Sequence, residues 1–451
     1  MGELFSFYDV KWGLTMPSPQ ACIKTTVLRR PHMHYAKTAS KVREQIIKFS
    51  GELSAGWPKV SRRFLAEAIY GIQARQSVHL TEIARALGEK IHIKKTQYRL
   101  SRQLGRDDLG RKVLNRLSRM GARRVEKKTL LIIDISDIRK KYARKMEHLA
   151  CVRDGSEKTL VNGYWTLSVL GAEVQTTSLV PLYGSLYSQK SPDFLSENLE
   201  IRRAINKVSK ATEKKGIWVM DRGGDRDYIF DYMLNNQLSF LVRLKKTRGL
   251  IYRGGAHPVL DLAVTCPLPY AERIVKQEKG KETIYDLQFG ARAVKLPGRL
   301  EPLPLVVVRG FGQIPLMLLT DLQVTKSRKS IWRIIESYLT RWRIEETIRF
   351  IKQSYQVEDI RLLTYHRLQN MMAILTAVAY FAMVYLGLRT KLRVLARHVM
   401  GAARRLFGMP DFHFYALADG IREYLFGRQK GLQGFFHQWK EENNQLHLFD
   451  P

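Results

Sequence analysis

Tyr338, Arg341, Glu345 and Lys352 stand at the spacing Tyr-x2-Arg-x3-Glu-x6-Lys. At about 100° per residue, such side chains fall within roughly 60° of one another around a helix. One acid flanked by cations and a phenol suits a stripe that holds a metal ion beside a phosphate backbone. The spacing equally suits the solvent face of an amphipathic helix, since Ile334, Ile335, Leu339, Trp342, Ile348 and Ile351 supply an apolar side. Arg349 falls on the same stripe, whereas Glu346 lies further round.

Two more acids stand at the ends of apolar runs. Thr129-Leu-Leu-Ile-Ile-Asp134 and Lys215-Gly-Ile-Trp-Val-Met-Asp221 read as buried strands, each delivering an aspartate. Neighbouring strands of an α/β sheet set their end residues side by side, where ligands usually bind. Three converging carboxylates repel one another unless cations lie between them, so Asp134, Asp221 and Glu345 together call for Mg2+ or Mn2+. Two such ions about 4 Å apart activate an attacking oxygen and stabilise the leaving one in phosphoryl displacement. Hard oxygen donors, with no clustered histidine or cysteine, argue against zinc. Each acid has a structural alternative. Asp134 can merely end a strand, with Ser136 on its face and Asp137 on the other. In Asp221-Arg-Gly-Gly-Asp225-Arg-Asp227, the later aspartates suit a turn or a helix N-cap.

The elements that must position these groups can be read coarsely. Residues 1–40, punctuated by Pro17, Pro19 and Pro31, predict an irregular arm. Residues 41–124 turn helical: Phe64, Leu65, Ala68, Ile69 and Ile72 mark one apolar face, and Leu80, Ile83, Ala84 and Leu87 another. Gly88 then suits a C-cap before the basic run Ile93–Leu104, giving the outline of a helix-turn-helix. Lys94, Lys95, Gln97, Arg99 and Arg102 are its candidate DNA contacts, more for phosphates than for base edges. Residues 125–237 and 321–390 read as the two parts of an α/β core, and residues 238–320 as an inserted β-rich subdomain. A basic, aromatic helical region, 391–440, and a tail, 441–451, follow.

The chain has 451 residues, and Lys plus Arg exceed Asp plus Glu by 76 − 42, a net charge of +34. Such an excess attracts polyanions, nucleic acid first and an anionic membrane surface second. A hydrophobic content of 45% places that charge on a folded protein. Cys22, Cys151 and Cys266 are widely spaced and odd in number, which suits a reducing cytoplasm. The apolar stretch Met371–Leu388 reads as a buried core helix and not as a membrane span.

With these residues in view, the chain resembles DDE transposases of the bacterial insertion sequence family four, the YREK-signature group. Tyr338, Arg341, Glu345 and Lys352 match that signature at every position, and Asp134 and Asp221 match the two preceding acids. The resemblance covers about residues 125–390. It implies an RNase H-like catalytic core with a β-rich insertion, and magnesium-dependent cut-and-paste transposition by a synaptic homodimer on double-stranded DNA, the element ends and the target. It further implies that Tyr338, Arg341 and Lys352 hold phosphates near the scissile bond, with Arg349 a lesser candidate. Two departures stand out. Residues 219–331 lack the tryptophan that hairpin-forming relatives stack on a flipped base, leaving Tyr252, Tyr270, Tyr285 or Phe289 as substitutes. Gly224 also stands where an aromatic is common.

The terminal Gln445-Leu446-His-Leu448-Phe449 resembles the peptide by which bacterial proteins dock on the replication sliding clamp. The leading expectation is therefore a DNA transposase. A domesticated, inactive relative acting as a DNA-binding regulator is the alternative, and a basic membrane-associated protein comes last.

Overall fold

The computed structural model describes residues 32–387 except 154, 156, 158, 175, 279 and 280, together with 413–426 and 432. The chain divides into two compact units. One contains Gly216–Arg343, and the other contains Pro31–Lys215 and the chain from Ile344 onward.

The discontinuous unit begins with helices α1 (His32–Leu53), α2 (Lys59–Arg75), α3 (Leu80–Leu87), α4 (Ile93–Leu104) and α5 (Leu109–Ala122). Helicity thus starts at His32, inside the stretch expected to be irregular. Strands β1 (Leu130–Arg139), β2 (Ala150–Arg153), β3 (Leu160–Ala172) and β4 (Leu179–Tyr187) follow, then α6 (Glu197–Ala211). β1 runs antiparallel to β3 along its whole length, with Asp134 opposite Ser168 and Asp137 opposite Trp165. β2 and β4 also pair antiparallel with β3.

After residue 343 the chain returns to this unit with most of α10 (Trp342–Ser354), then α11 (Tyr365–Met383) and α12 (Phe414–Phe426). Every residue of α11 from Asn370 to Met383 is buried, as expected for a helix that is apolar all round. It packs on α2, α5 and β4. Gly184 of β4 permits the approach, because a Cβ there would collide with the Thr376 hydroxyl. Among the described residues no helix is long and apolar enough to cross a membrane.

The continuous unit opens with β5 (Ile217–Met220), α7 (Asp227–Asn235) and β6 (Phe240–Arg243). β5 and β6 are parallel neighbours, so α7 is their crossover. β12 (Leu316–Thr320) joins the free edge of β6, and β11 (Leu303–Arg309), β10 (Lys281–Val294) and β9 (Tyr270–Glu278) extend the sheet antiparallel. The stretch expected as an inserted subdomain is therefore hydrogen-bonded to β5 through β6. A small hairpin of β7 (Gly249–Tyr252) and β8 (Gly255–Pro258), a short helix α8 (Val259–Val264) and helix α9 (Arg328–Thr340) complete the unit.

Candidate active site and nucleic-acid contacts

The signature residues do not share one helix. α9 ends at Thr340, and α10 starts at Trp342. Tyr338 therefore lies in the last turn of α9, Arg341 at the junction, and Glu345, Arg349 and Lys352 on α10. Tyr338 is 1% exposed and Arg341 6%, with the Arg341 guanidinium 5.6 Å from the Tyr338 ring. Neither offers an open cation or phenol to a phosphate in this arrangement. Glu345, in the first turn of α10, is exposed. Its neighbour Glu346 is taken by Arg349, 2.7 Å away, which separates the two glutamates and engages Arg349 in a pair the sequence reading did not anticipate.

Lys352 was expected to hold a phosphate. Its ammonium instead lies 3.6 Å from both Asp137 of β1 and Glu358. Around that pair is a charged cluster that sequence reasoning missed. Lys140 is buried, and its ammonium donates to the carbonyls of Glu358 and Ile360, each at 2.5 Å. Arg139 donates to Glu358 at 2.8 Å. Burial pulls the Lys140 ammonium down to about 8 from its ordinary 10.5, while Asp359 and Glu358 pull it back up. The cluster ties the end of β1 to the 3-10 turn Val357–Asp359 that follows α10. Asp134 and Asp137 are three residues apart on a regular strand, so they point to opposite faces. The Lys352 pair is thus on the face away from Asp134.

Asp221 directly follows β5 and accepts a bond from the Gly223 amide at 2.7 Å, capping the turn Arg222–Gly224. It remains half-exposed. Asp225 behaves differently: only 2% exposed, it accepts from the Lys245 amide and from Arg248, each at 2.6 Å. Arg248 also pairs with Asp227. Burial opposes the Arg248 charge, but its two aspartates more than compensate and raise its pKa. These later acids are structural. Gly224 has a local reason as well, because a Cβ there would come within 2.5 Å of the Met220 Cβ.

Asp134 and Glu345 belong to the discontinuous unit and Asp221 to the other. Among the described residues, no three His, Cys, Asp or Glu side chains are grouped so as to hold a metal ion. The three acids offer hard oxygen donors, the chemistry of a magnesium or manganese site.

In the helical region, α3 ends at Gly88 with a left-handed φ of 60°, and α4 follows. α4 has two differently charged sides. Arg99 faces inward, 2.5 Å from Glu67 and 2.9 Å from Glu89, and Arg63 joins both acids. Burial would raise Glu89, but its Thr96 bond and the Arg99 and Arg63 charges hold its carboxyl below the usual range. Arg99 is thus engaged as an internal strut. Lys94, Lys95 and Arg102 are exposed and Gln97 is half-buried. Tyr98, 72% exposed, stands among them and went unnoticed in the sequence. The C-terminal end of α4 is anchored by α11: Arg367 donates to the Ser101 carbonyl at 3.0 Å and Asn370 to the Leu104 carbonyl at 2.7 Å.

Residues 199–382 match the family described as the transposase DDE domain. That span holds Asp221, Glu345 and all four signature residues, but not Asp134. It supports a transposase of the DDE class while covering less than half of the chain. No curated protein matches the chain. Among solved structures, a piggyBac transposase synaptic complex with hairpin DNA aligns over 90% of this chain and 84% of its own, at 11% identity and a TM-score of 0.42. A likeness at that level does not establish a shared fold.

Of the insertion-region aromatics expected as stacking platforms, Phe289 is packed and Tyr252, Tyr270 and Tyr285 are half-exposed. Phe289 is fully buried between Tyr270 and Trp332. The Tyr270 hydroxyl bonds the Lys326 carbonyl, and Tyr285 lies against Phe311. The Tyr252 ring has Arg292 at 4.8 Å and Arg253 at 5.3 Å. The clamp-like peptide, Gln445, Leu446, Leu448 and Phe449, lies outside the described residues.

Proposed function

We propose that the chain is a DDE transposase that binds the ends of a mobile DNA element and cleaves and joins DNA strands with a divalent metal. The observation that carries this reading is the transposase DDE domain match over residues 199–382, which includes Asp221 and Glu345. In it, Asp134, Asp221 and Glu345 hold Mg2+ or Mn2+ in an RNase H-like core. The metal supplies Lewis-acid activation of the attacking and leaving oxygens. Lys94, Lys95, Tyr98 and Arg102 on the outer side of α4 engage the duplex, their charge fitting the strongly basic chain. The active form is a homodimer holding two ends.

The test uses the purified full chain, Mg2+ and a duplex carrying the DNA that flanks its coding region. Wild type cuts at the element boundary. Asp134→Ala, Asp221→Ala and Glu345→Ala each abolish cutting while retaining binding. Cleavage retained by any one of them removes that residue, and wild-type binding without cleavage turns the reading into that of a DNA-binding regulator. A separate proposal is that Gln445, Leu446, Leu448 and Phe449 dock on the sliding clamp. Equal clamp binding by wild type and the Leu448→Ala/Phe449→Ala double variant would dismiss it.

A further inference from the structure

Just beyond β1, the chain makes a loop that carries a largely exposed aromatic among cations at its tip. Lys141, Tyr142, Arg144 and Lys145 are all exposed, and the Tyr142 ring is 88% so. Its two ends are pinned. On one side, buried Lys140 grips the Glu358 and Ile360 carbonyls, and Asn162 donates to the Ala143 carbonyl at 3.3 Å. On the other, Met146 is buried, the Glu147 amide donates to the Leu363 carbonyl at 2.9 Å, and Tyr164 donates to the Glu147 carbonyl at 2.6 Å. The Glu147 carboxylate accepts from the Tyr365 amide at 2.8 Å.

A chain held this firmly on both sides has little local reason to push a large aromatic into water. Exposing a ring between cations leaves a flat face open where a polyanion would be drawn. Nucleic-acid strands are bound in this way: bases stack on an aromatic face while cations take the backbone. A base within an intact duplex has both faces covered by its neighbours, so the tip fits a base that is unpaired. Lys141 has a long contact of 3.9 Å with Glu157, which a phosphate can replace.

We infer that residues 141–145 form a contact for a DNA strand, in which Tyr142 stacks on an unpaired base and Lys141, Arg144 and Lys145 hold the adjoining phosphates. The inference rests on the DNA-processing reading above but names a contact separate from both α4 and the three acids. It places a nearly fully exposed aromatic platform on the loop that follows the Asp134 strand, whereas Tyr252, Tyr270 and Tyr285 are half-exposed and Phe289 is buried.

The probes are two duplexes of the same flanking sequence, one fully paired and one carrying a single unpaired base, with binding to the full-length protein read by fluorescence anisotropy. Wild type prefers the second. Tyr142→Ala weakens binding of the unpaired-base probe about tenfold and the paired probe less than about twofold. Tyr142→Phe restores the preference, because stacking needs the ring and not the hydroxyl. Replacing Lys141, Arg144 and Lys145 by alanine flattens the salt dependence on both probes. Equal binding of the unpaired-base probe by wild type and Tyr142→Ala, or a Tyr142→Phe loss as large as that of alanine, overturns the contact. If either result comes with normal Mg2+-dependent cleavage, the tip contact falls and the transposase reading stands. A wild type that binds neither probe and cuts neither brings down both.

Discussion

Asp221 stands directly after β5, whereas Asp134, expected at a strand end, lies midway along β1 because its pairing with β3 runs on to Arg139, and the charged groups around the two acids are organised in contrasting ways. At the end of β1, Asp137, Arg139 and Lys140 reach the turn after α10, through Lys352, Glu358 and two backbone carbonyls. Beyond β5, the neighbours Asp225 and Asp227 close on a single arginine, Arg248, and on the Lys245 amide. The first cluster joins segments about two hundred residues apart in sequence, as the separations of 218 and 220 residues for Lys140 show. The second is local, spanning about twenty residues. In both, acids near the candidate ligand serve structure. Nearness in sequence to a catalytic aspartate therefore says little about role, and strand face and burial say more.

The sharpest way to break this contrast is to exchange roles at β5. Asp221→Asn is expected to lower strand cleavage by more than about a thousandfold with little change in thermal midpoint. Asp225→Asn should do the reverse, leaving the buried Arg248 charge without its main partner and costing about 3–5 kcal/mol in denaturant unfolding. Comparable stability losses in both variants would erase the distinction. At β1 the expected effect is smaller. Asp137→Asn and Lys352→Met should each destabilise by about 1–2 kcal/mol, and a double-mutant cycle should return a coupling of at least about 0.5 kcal/mol. If Lys352 holds phosphate instead, Asp137→Asn would leave stability unchanged and tighten DNA binding.

Lys140 gives the long-range cluster a pH signature. Its ammonium titrates near 8 in the folded chain against an ordinary 10.5. Between those values the unfolded chain binds more protons, so this group makes stability rise as pH increases through the window. Lys140→Met should remove that part of the rise in thermal midpoint, and an unchanged pH profile would show that the ammonium is solvated. The smallest effect concerns the same contrast within one helix. Lys94→Ala or Arg102→Ala should each reduce the salt slope of duplex binding by about 0.9. Arg99→Ala should leave the slope unchanged and lower stability, most visibly above the pH at which Glu89 ionises.

Much of this was legible in the sequence. Apolar runs ending in Asp134 and Asp221 announced β1 and β5, and an uncharged stretch announced buried α11, because burial on all sides leaves no polar period to misread. The break at Arg341 was not legible, since no proline or glycine marks it and Arg341 keeps helical backbone angles. Nor could the fates of Arg99 and Arg102 be told apart. The partners of Arg99, Glu67 and Glu89, lie 32 and 10 residues away, and only the fold brings them to one side of α4. Tyr98 and Tyr142 were missed for the opposite reason: an exposed aromatic has no partner pattern to betray it.

The burial of α11 also bears on the order in which the chain acquires structure. Gly216–Arg343 is one uninterrupted segment, so its unit has all its residues once that stretch has been made. The other unit begins earlier and finishes later, because α2, α5 and β4 wait for a helix that starts only at Tyr365. During synthesis from the N-terminus, the earlier half keeps apolar surface uncovered while the whole intervening unit emerges. Such surface is prone to aggregation. A chain cut short before Tyr365 should therefore contain one unit with all its residues and one left without its central helix.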